Sequence, residues 1–288
     1  MPSSAPSPAP IDAGIVAIYG VGLIGGSLAA ALKERGIARR ILGVGRNRER
    51  LDAARSMGLI DESFVDADAA ARESDLLVFC TPVDQIAAGV RRAAPHCRPG
   101  TLITDAGSVK GPICRELEGI LPDGVTFLGS HPIAGSEKAG FEHSKSDLYQ
   151  GKVCVLTPTA STPKASTERL RTFWSSVGSR VLEMSPEEHD TALALTSHAP
   201  HVIASALAAI LPENFRQFTG TGFRDTTRIA AGDADLWVAI LGQNASAVLD
   251  VLNEYDRTLA EFRTALKMDD RATLRRLLEL GKIHRDAL

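Results

Sequence analysis

Short apolar runs, bounded by polar or glycine-rich segments, recur through the first two thirds of the chain. A continuous apolar run of this length is typical of a strand that is buried on both faces. The predicted strands cover residues 15–19, 41–44, 75–80, 101–104, 125–129, 152–156 and 180–183. Helices are predicted between them, including residues 28–35, a helix begun by Pro112 and an amphipathic stretch over 163–176. Strands that alternate with helices indicate the α/β class, with a doubly wound parallel sheet.

The strand pattern ends near residue 184, and the rest of the chain has helical patterning almost throughout. A helix start is predicted at residues 185–188, where serine stands at the cap, proline at the first helical position and glutamate at the third. We therefore predict an α/β domain over residues 15–184 and an all-α domain over residues 185–288. Residues 1–14 are predicted to form a disordered tail, because their start is rich in proline and serine and lacks the features of a signal peptide.

The helices of the second domain carry apolar residues on more than one face, which is more than a single surface helix needs. Examples are Val248, Leu249, Val251, Leu252, Leu259 and Phe262. We predict that part of this domain is buried against a second copy of the chain in a twofold homodimer. An internal core of the same domain is the alternative.

A glycine-rich loop joins the first predicted strand to the first predicted helix, and its sequence is Gly20-Val21-Gly22-Leu23-Ile24-Gly25-Gly26-Ser27. In a dinucleotide-binding loop of this kind, Gly20 permits a tight turn, Gly22 lets the backbone approach a pyrophosphate, and Gly25 lets the helix pack closely on the strand. The flanking strand and helix favour this interpretation over a glycine turn without a ligand. The first domain is therefore predicted to be of the Rossmann type.

The tip of the second predicted strand is where such folds place the residue that contacts the adenosine ribose. An NAD site usually has an acidic residue there, but this chain has Gly45-Arg46-Asn47-Arg48. Arg46 offers a planar cation suited to a 2′-phosphate, so NADP is favoured over NAD. The alternative is that both arginines are solvated residues at the start of the next helix. The predicted cofactor-binding residues are Gly20, Gly22, Leu23, Ile24, Gly25, Arg46, Thr81 and Pro82.

The amino-acid composition limits which binding partners and which cellular compartment are expected. The 288 residues are 44% hydrophobic and carry a formal net charge of −3, with no long run of one sign, so we expect neither nucleic acid nor a membrane surface as a partner. No apolar run is expected to reach membrane-spanning length. The four cysteines are scattered without zinc or disulfide spacing, which favours a reduced, cytoplasmic setting. A small molecule is the expected partner.

Polar residues capable of chemistry follow two of the predicted strands. Ser108 follows the strand at 101–104 and His131 follows the strand at 125–129, at the ends where doubly wound sheets bind their ligands. A satisfied strand-end histidine is the alternative for His131, and a helix cap is the alternative for Ser108. His198 and His201 lie three apart on a predicted helix, but no third ligand is evident, so no metal site is predicted.

Five motifs, in order, resemble the prephenate and arogenate dehydrogenase family of tyrosine biosynthesis. They are GVGLIGGS at Gly20, DAGSVK at Asp105, SHPIAGSE at Ser130, SHAPH at Ser197 and RDTTRIA, which ends at Ala230. The resemblance implies a Rossmann-type domain followed by a helical dimerisation domain. It also implies an oxidoreductase that decarboxylates arogenate or prephenate while a hydride passes to NAD or NADP.

The resemblance also implies roles for individual residues. His131 would accept the proton of the substrate's 4-hydroxyl, and Ser108 would hydrogen-bond the same hydroxyl or hold His131. Arg228 matches the family's substrate-binding arginine, for which Arg224 is the competing candidate. By the same resemblance, His201 lines the pocket of the nicotinamide and substrate.

Two further positions match the family, Glu137 at the mouth of the site and His189 near the domain junction. A solvated polar side chain is the alternative for each. The chain ends soon after its last predicted helices, so we expect no appended regulatory domain, and any inhibition by tyrosine is expected to be competitive with substrate.

Two other functions are weighed against this one. A β-hydroxyacid dehydrogenase shares the domain order but places a catalytic lysine on the connecting helix, and residues 191–211 contain no lysine. A non-catalytic NADP-binding sensor would keep the three glycines without needing His131, Ser108 and Arg228 together. No residue decides between prephenate and arogenate, and the association of NADP with arogenate gives only a slight preference for arogenate.

Overall fold

The computed structural model describes residues 12–135 and 138–288 of the chain. The strands are β1 (Ile15–Tyr19), β2 (Arg40–Val44), β3 (Glu62–Phe64), β4 (Leu76–Phe79), β5 (Leu102–Asp105), β6 (Thr126–Phe127), β7 (Gly129–Pro132), β8 (Val153–Thr157) and β9 (Arg180–Glu183). The helices of the first part are α1 (Leu23–Glu34), α2 (Arg48–Ser56), α3 (Ala67–Glu73), α4 (Val83–Ala93), α5 (Gly111–Leu117) and α6 (Lys164–Ser176). Those of the second part are α7 (Pro186–Leu193), α8 (Ala199–Ala209), α9 (Thr221–Thr227), α10 (Ala234–Gln243), α11 (Ala245–Lys267) and α12 (Arg271–Asp286).

The main sheet has six parallel strands within the described ranges, in the order β3-β2-β1-β4-β5-β6. Alternate residues of β1 enter two different cores, with Val16 and Ile18 on one face and Ala17 and Tyr19 on the other. Both faces are therefore covered, as a parallel sheet requires. The predicted α/β class, with a Rossmann-type parallel sheet followed by helices, is confirmed.

A second, three-stranded sheet corrects part of the sequence prediction. Strand β7 pairs antiparallel with β8, and β8 pairs parallel with β9. His131 therefore lies within edge strand β7, opposite Val155, and not in a loop after a strand of the main sheet. The sequence gives no sign of this change because residues 125–132 have no polar break between the short β6 and β7. The edge position tolerates Pro132, which has no N–H for a ladder.

The strand β3 and the end of the predicted tail also differ from expectation. β3 is a three-residue edge strand, Glu-Ser-Phe, without the apolar run that marks a buried strand. Ala13 is buried and donates its backbone N–H to the carbonyl of Ile37, at 2.7 Å, so residues 12–14 are packed against the first domain. Residues 1–11 lie outside the described residues.

The helical part begins where the sequence predicts it. The side chain of Ser185 accepts a hydrogen bond from the backbone of Glu188, whose carboxylate accepts one from the Ser185 backbone, so the two form a capping box with Pro186 at the first turn. The elements described after Glu183 are helices and helical turns. The proposed division of the chain at residue 184 stays a prediction.

One helical stretch, Pro186–Ala209, is long and apolar enough to cross a membrane by length and composition alone. The expectation that no run reaches this length is therefore wrong. The helix owes its apolar character to alanine and leucine, and it also contains His189, Asp190 and His198, which are buried and hydrogen-bonded within the protein. A packed helix of a protein core passes the same test, and these polar contacts favour that interpretation.

Candidate active site

The glycine loop has the geometry that the sequence predicts. Gly20 has a φ of +95°, and a Cβ there would lie 2.8 Å from the carbonyl oxygen of Cys80 on the neighbouring strand segment. A Cβ at Gly25 would lie 2.2 Å from the carbonyl oxygen of Gly20. A Cβ at Gly22 would meet no described atom within 4 Å. The protein's own packing therefore requires glycine at Gly20 and Gly25, whereas at Gly22 the approach of a ligand explains the residue.

The residues around this loop fit a dinucleotide. Leu23 and Ile24 form the first turn of α1, whose amino end points its N–H groups toward the loop. Thr81 follows β4 beside Gly20, and its hydroxyl is buried without a hydrogen-bond partner among the described residues. A buried hydroxyl without a partner is costly unless a ligand supplies one. Pro82 is exposed and caps α4.

Arg46 lies two residues after the end of β2 and precedes Asn47, whose side chain caps α2 by accepting the N–H of Arg50 at 3.0 Å. The guanidinium of Arg46 is exposed and has no ion pair or hydrogen bond with any residue of the described ranges. Arg48 is likewise exposed. A free guanidinium therefore stands at the strand tip that contacts the ribose in this fold.

A buried ion pair joins the two sheets beneath His131. Lys110 and Asp105 are fully buried, and the ammonium of Lys110 donates to the carboxylate of Asp105 and, at 2.9 Å, to the carbonyl of Ser130. The hydroxyl of Ser130 makes three hydrogen bonds, with the hydroxyl of Thr104 at 2.8 Å, the carbonyl of Asp105 at 2.5 Å and the indole N–H of Trp174 at 3.0 Å. These contacts fix β7 against β5, so the residue after Ser130 has a defined position.

That residue is His131, the first member of a hydrogen-bonded series. Its Nδ1 lies 2.9 Å from Nε2 of His189, and Nδ1 of His189 lies 2.8 Å from Oδ1 of Asp190. The Asp190 carboxylate also accepts the backbone N–H groups of Lys110 and Gly111, each at 2.8 Å. His189 is thus buried against His131, and the solvated alternative for it is wrong.

The electrostatics of this series keep both imidazoles neutral. Burial holds the pKa of His131 well below its ordinary value, and the nearby His189 and Lys110 lower it further. Burial also lowers the pKa of His189, although the hydrogen bond to Asp190 opposes that shift. A neutral imidazole is the form of histidine that accepts a proton.

The helical part contributes a second group of buried histidines. His201 stacks on Trp237, with ring centroids 3.5 Å apart and an interplanar angle of 15°. Nδ1 of His198 lies 3.1 Å from the side-chain amide nitrogen of Asn244, which also donates to the Asp190 carbonyl at 2.8 Å. Nε2 of His198 and Nδ1 of His201 are buried without a hydrogen-bond partner in the described structure. The described residues contain no cluster of three metal-ligating side chains.

Fewer contacts define the positions of the remaining predicted site residues. Ser108 is half-buried in the loop between β5 and α5, and its hydroxyl makes no hydrogen bond to a described residue. Arg228 is exposed at the start of the helical turn Arg228–Ala231, which packs against α8, and it has no ion pair with the described carboxylates. Arg224, its competitor, is also exposed. Glu137 lies outside the described residues.

Sequence reasoning missed the structural importance of several residues around His131. Asp190, Lys110 and Asn244 were not assigned roles, although each makes two or more buried hydrogen bonds around the site. One signal was available for Asp190. It follows His189 directly, and a polar pair in an otherwise apolar helix indicates a specific buried partner.

Family comparisons agree with this arrangement. Residues 28–183 match the model described as "Prephenate dehydrogenase, nucleotide-binding domain", and residues 185–280 match "Prephenate dehydrogenase, dimerization domain". The chain belongs to the prephenate dehydrogenase family. Membership makes it a dehydrogenase with an NAD(P)-binding domain, as the sequence motifs predict.

Individual family members are similar over nearly all of the chain. A prephenate dehydrogenase of Bacillus subtilis is 34% identical over 95% of this chain and 76% of its own length. A cyclohexadienyl dehydrogenase of Zymomonas mobilis is 35% identical over 88% of this chain and 89% of its own. A crystal structure of prephenate dehydrogenase from A. aeolicus, in complex with hydroxyphenyl propionate and NAD+, has a TM-score of 0.89 at 33% identity, covering 95% of this chain and 98% of that one.

Proposed function

We propose that the protein oxidises and decarboxylates prephenate or arogenate, with NADP as the preferred hydride acceptor. The geometry around His131 carries this proposal, because it presents a neutral, buried imidazole that is hydrogen-bonded to His189 of the helical part. The products are 4-hydroxyphenylpyruvate from prephenate and tyrosine from arogenate, with carbon dioxide in each case. The rival β-hydroxyacid dehydrogenase and sensor functions lack support in the family comparisons.

The protein's part in the reaction is proton handling at one oxygen atom. A bound nicotinamide would supply the hydride acceptor. His131 would accept the proton of the substrate's 4-hydroxyl as the carbon that carries it loses the hydride. Loss of carbon dioxide then makes the ring aromatic and leaves a phenolate, to which the same histidine returns the proton. General-base assistance of this type typically gives about 10²–10⁴-fold in rate. Ser108, with its uncommitted hydroxyl, would orient the substrate hydroxyl.

The substrate must be bound by a cation that does not pair with its ring carboxylate, because that carboxylate leaves as carbon dioxide. Arg228 supports this role because its guanidinium has no carboxylate partner in the described structure and its turn packs on the helix of His201. A guanidinium binds a carboxylate through two parallel hydrogen bonds, which suits the side-chain carboxylate of the substrate. His201, held flat against Trp237, offers an unpaired Nδ1 as a second polar contact. The place of Glu137 at the mouth of the site, which the family resemblance implies, is also part of this proposal.

Cofactor selection is proposed to depend on Arg46. The residues that would hold the dinucleotide are Gly20, Gly22, Leu23, Ile24, Gly25, Arg46, Thr81 and Pro82. The free guanidinium of Arg46 would pair with the 2′-phosphate of NADP, and the strand tip has no acidic residue to accept the free ribose hydroxyls of NAD. NADP is therefore expected to bind more tightly than NAD.

A homodimer is proposed for the helical part. Many large apolar side chains there are exposed in the single chain, among them Leu195, Ile210, Phe218, Val238, Leu249, Leu266 and Leu278. Exposed apolar area on this scale marks an interaction surface, and the matched model is a dimerization domain. A monomer by light scattering at micromolar concentration would contradict this proposal. A cytoplasmic location is proposed with it, since the four cysteines are unpaired.

The test of the function is a set of four initial rates, followed by nicotinamide absorbance. Prephenate and arogenate are each supplied with NAD and with NADP. Turnover of either substrate supports the function, and a preference of more than about tenfold for NADP, about 1.4 kcal/mol in transition-state binding, supports the role of Arg46. Arogenate is the slightly preferred substrate by the sequence argument. No turnover in any of the four mixtures would refute the proposed function.

A further inference from the structure

The hydrogen bonds around His189 fix which of its nitrogens carries a proton. Its Nδ1 lies 2.8 Å from Oδ1 of Asp190, and both Asp190 oxygens also accept backbone N–H groups, Oδ1 from Lys110 and Oδ2 from Gly111. A carboxylate in this position has only acceptors to offer, so Nδ1 of His189 must be the donor. In a neutral imidazole, Nε2 of His189 is then an acceptor.

The same donor and acceptor argument applies to His131. Its Nδ1 lies 2.9 Å from Nε2 of His189, and because that atom is an acceptor, Nδ1 of His131 must donate. The neutral ring then has its lone pair on Nε2, which makes no hydrogen bond to any residue within 12–135 or 138–288. A series of two bonds, anchored on Asp190, thus selects one tautomer of His131.

We infer that His189 and Asp190 are positioning residues that hold His131 as the Nδ1–H tautomer, so that Nε2 is the atom that accepts the substrate proton. This inference rests on the proposed function. In the step itself, the bond between the substrate's 4-hydroxyl oxygen and its hydrogen breaks, and a bond between that hydrogen and Nε2 forms. The imidazolium then donates Nδ1–H to His189, whose ring is held in turn by Asp190.

Asp190 also explains why the series is rigid. Its carboxylate binds the two backbone N–H groups at the start of α5, next to the loop of Ser108, and its carbonyl accepts the side-chain amide of Asn244 at the start of α11. The orientation of His189 is therefore tied to both parts of the chain. His189 has no exposed surface, so water does not compete for its ring nitrogens.

Among the described residues, few other charged or titratable groups lie around His131 and His189. Lys110, in its ion pair with Asp105, faces both histidines from the end of β5 and the loop after it. His198 faces them from the adjoining helical turn, and its own pKa is lowered to about 4, chiefly by burial. The thiol of Cys154 lies on β8 beside His131, and burial raises its pKa. At neutral pH His198 and Cys154 are uncharged, and His189, with Asp190 behind it, is the group hydrogen-bonded to the His131 ring.

The experiment compares two substitutions of His189, both in the full chain. In His189→Gln the new amide oxygen can still accept a hydrogen bond from Nδ1 of His131, whereas the side chain of His189→Leu can accept nothing. We expect kcat to fall by more than about tenfold in His189→Leu and by distinctly less in His189→Gln, with KM and cofactor Kd close to wild type. We also expect the acidic limb of the kcat profile to move in His189→Leu, because the His131 imidazolium loses both its hydrogen-bond acceptor and the neighbouring imidazole.

A second measurement does not depend on activity. The ¹⁵N shifts of the imidazole nitrogens, assigned to His131 by comparison with His131→Asn, report its tautomer in the free protein. Nδ1–H in the wild type, lost or mixed in His189→Leu, supports the inference. An Nε2–H tautomer in the wild type overturns it, as does an equal loss of kcat in the two variants with no movement of the acidic limb. Inactivity of the wild type on both substrates would refute the function while leaving the tautomer test intact.

Discussion

A Cβ atom at Gly25 would lie 2.2 Å from the carbonyl oxygen of Gly20, so the first turn of α1 packs directly against the loop that precedes it. The backbone of Gly20 cannot move away from an added methyl group as the end of a flexible side chain could. We therefore expect Gly25→Ala to lower the free energy of unfolding by about 1–3 kcal/mol or more, measured by urea denaturation without cofactor.

Gly22→Ala is the matched control on the same loop. A Cβ there meets no described atom within 4 Å, and the backbone of Gly22 has a φ of −108°, which alanine adopts. We expect its stability without cofactor to stay within about 1 kcal/mol of wild type, since only a helix cap changes. Its NADP affinity should nevertheless fall by about tenfold or more. Equal effects of the two substitutions on stability would contradict the separate roles of these glycines.

These glycines also show what the sequence can predict. The loop, the strand before it and the helix after it follow from local rules, because a GxGxxG loop has few alternative conformations between a strand and a helix. The capping box at Ser185 is equally local, and it is present as predicted. Such features need no knowledge of distant parts of the chain.

The surroundings of His131 could not be predicted in the same way. They depend on contacts across 58 residues to His189 and across 80 residues between Lys110 and Asp190. They also depend on β7 leaving the main sheet, which no break in the apolar pattern signals. The family resemblance predicts a role for His131, but the contacts that hold its side chain are seen only in the three-dimensional structure.

His131 itself gives the next prediction. His131→Asn keeps a polar side chain of smaller size but cannot accept a proton at neutral pH. We expect kcat to fall by about 10²–10⁴-fold, the usual contribution of a general base. The Kd for NADP, measured by fluorescence titration, should stay near the wild-type value. Wild-type turnover in this variant would remove His131 from the proposed role.

Arg228→Lys tests substrate binding. The ammonium keeps the charge but makes one hydrogen bond at a time where the guanidinium makes two in parallel. We expect KM for the substrate to rise far more than kcat falls, in steady-state kinetics at saturating cofactor. Arg224→Lys, on the preceding helix and equally exposed, is the matched comparison. A change in KM confined to the Arg224 variant would transfer the role to that residue.

Arg46→Ala tests cofactor choice. Loss of the free guanidinium at the strand tip should raise the Kd for NADP by about tenfold, about 1.4 kcal/mol, and leave the Kd for NAD nearly unchanged. Arg55→Ala is the control, because Arg55 is exposed in the last turn of the following helix, α2. An equal loss of affinity for both cofactors would show that Arg46 does not bind the 2′-phosphate.

Acid stability gives a prediction that is independent of catalysis. The buried histidines share a pKa lowered by burial, and they are His131, His189, His198 and His201. Below the ordinary histidine pKa of about 6.5, the unfolded chain binds protons that the folded chain does not, so the free energy of unfolding falls as pH falls. The loss should begin below about pH 6.5, before most carboxylates titrate.

His198 allows this prediction to be tested at one residue. Its pKa is lowered to about 4, and its Nδ1 accepts from Asn244 only while that nitrogen is unprotonated. Urea denaturation at pH 7.5, 6.5 and 5.5 should show a slope of unfolding free energy against pH that is smaller in His198→Gln, by at most about 1.4 kcal/mol per pH unit. His143→Gln should keep the wild-type slope, because His143 is exposed. A slope unchanged by His198→Gln would mean that the buried imidazole is not the group whose protonation unfolds the protein.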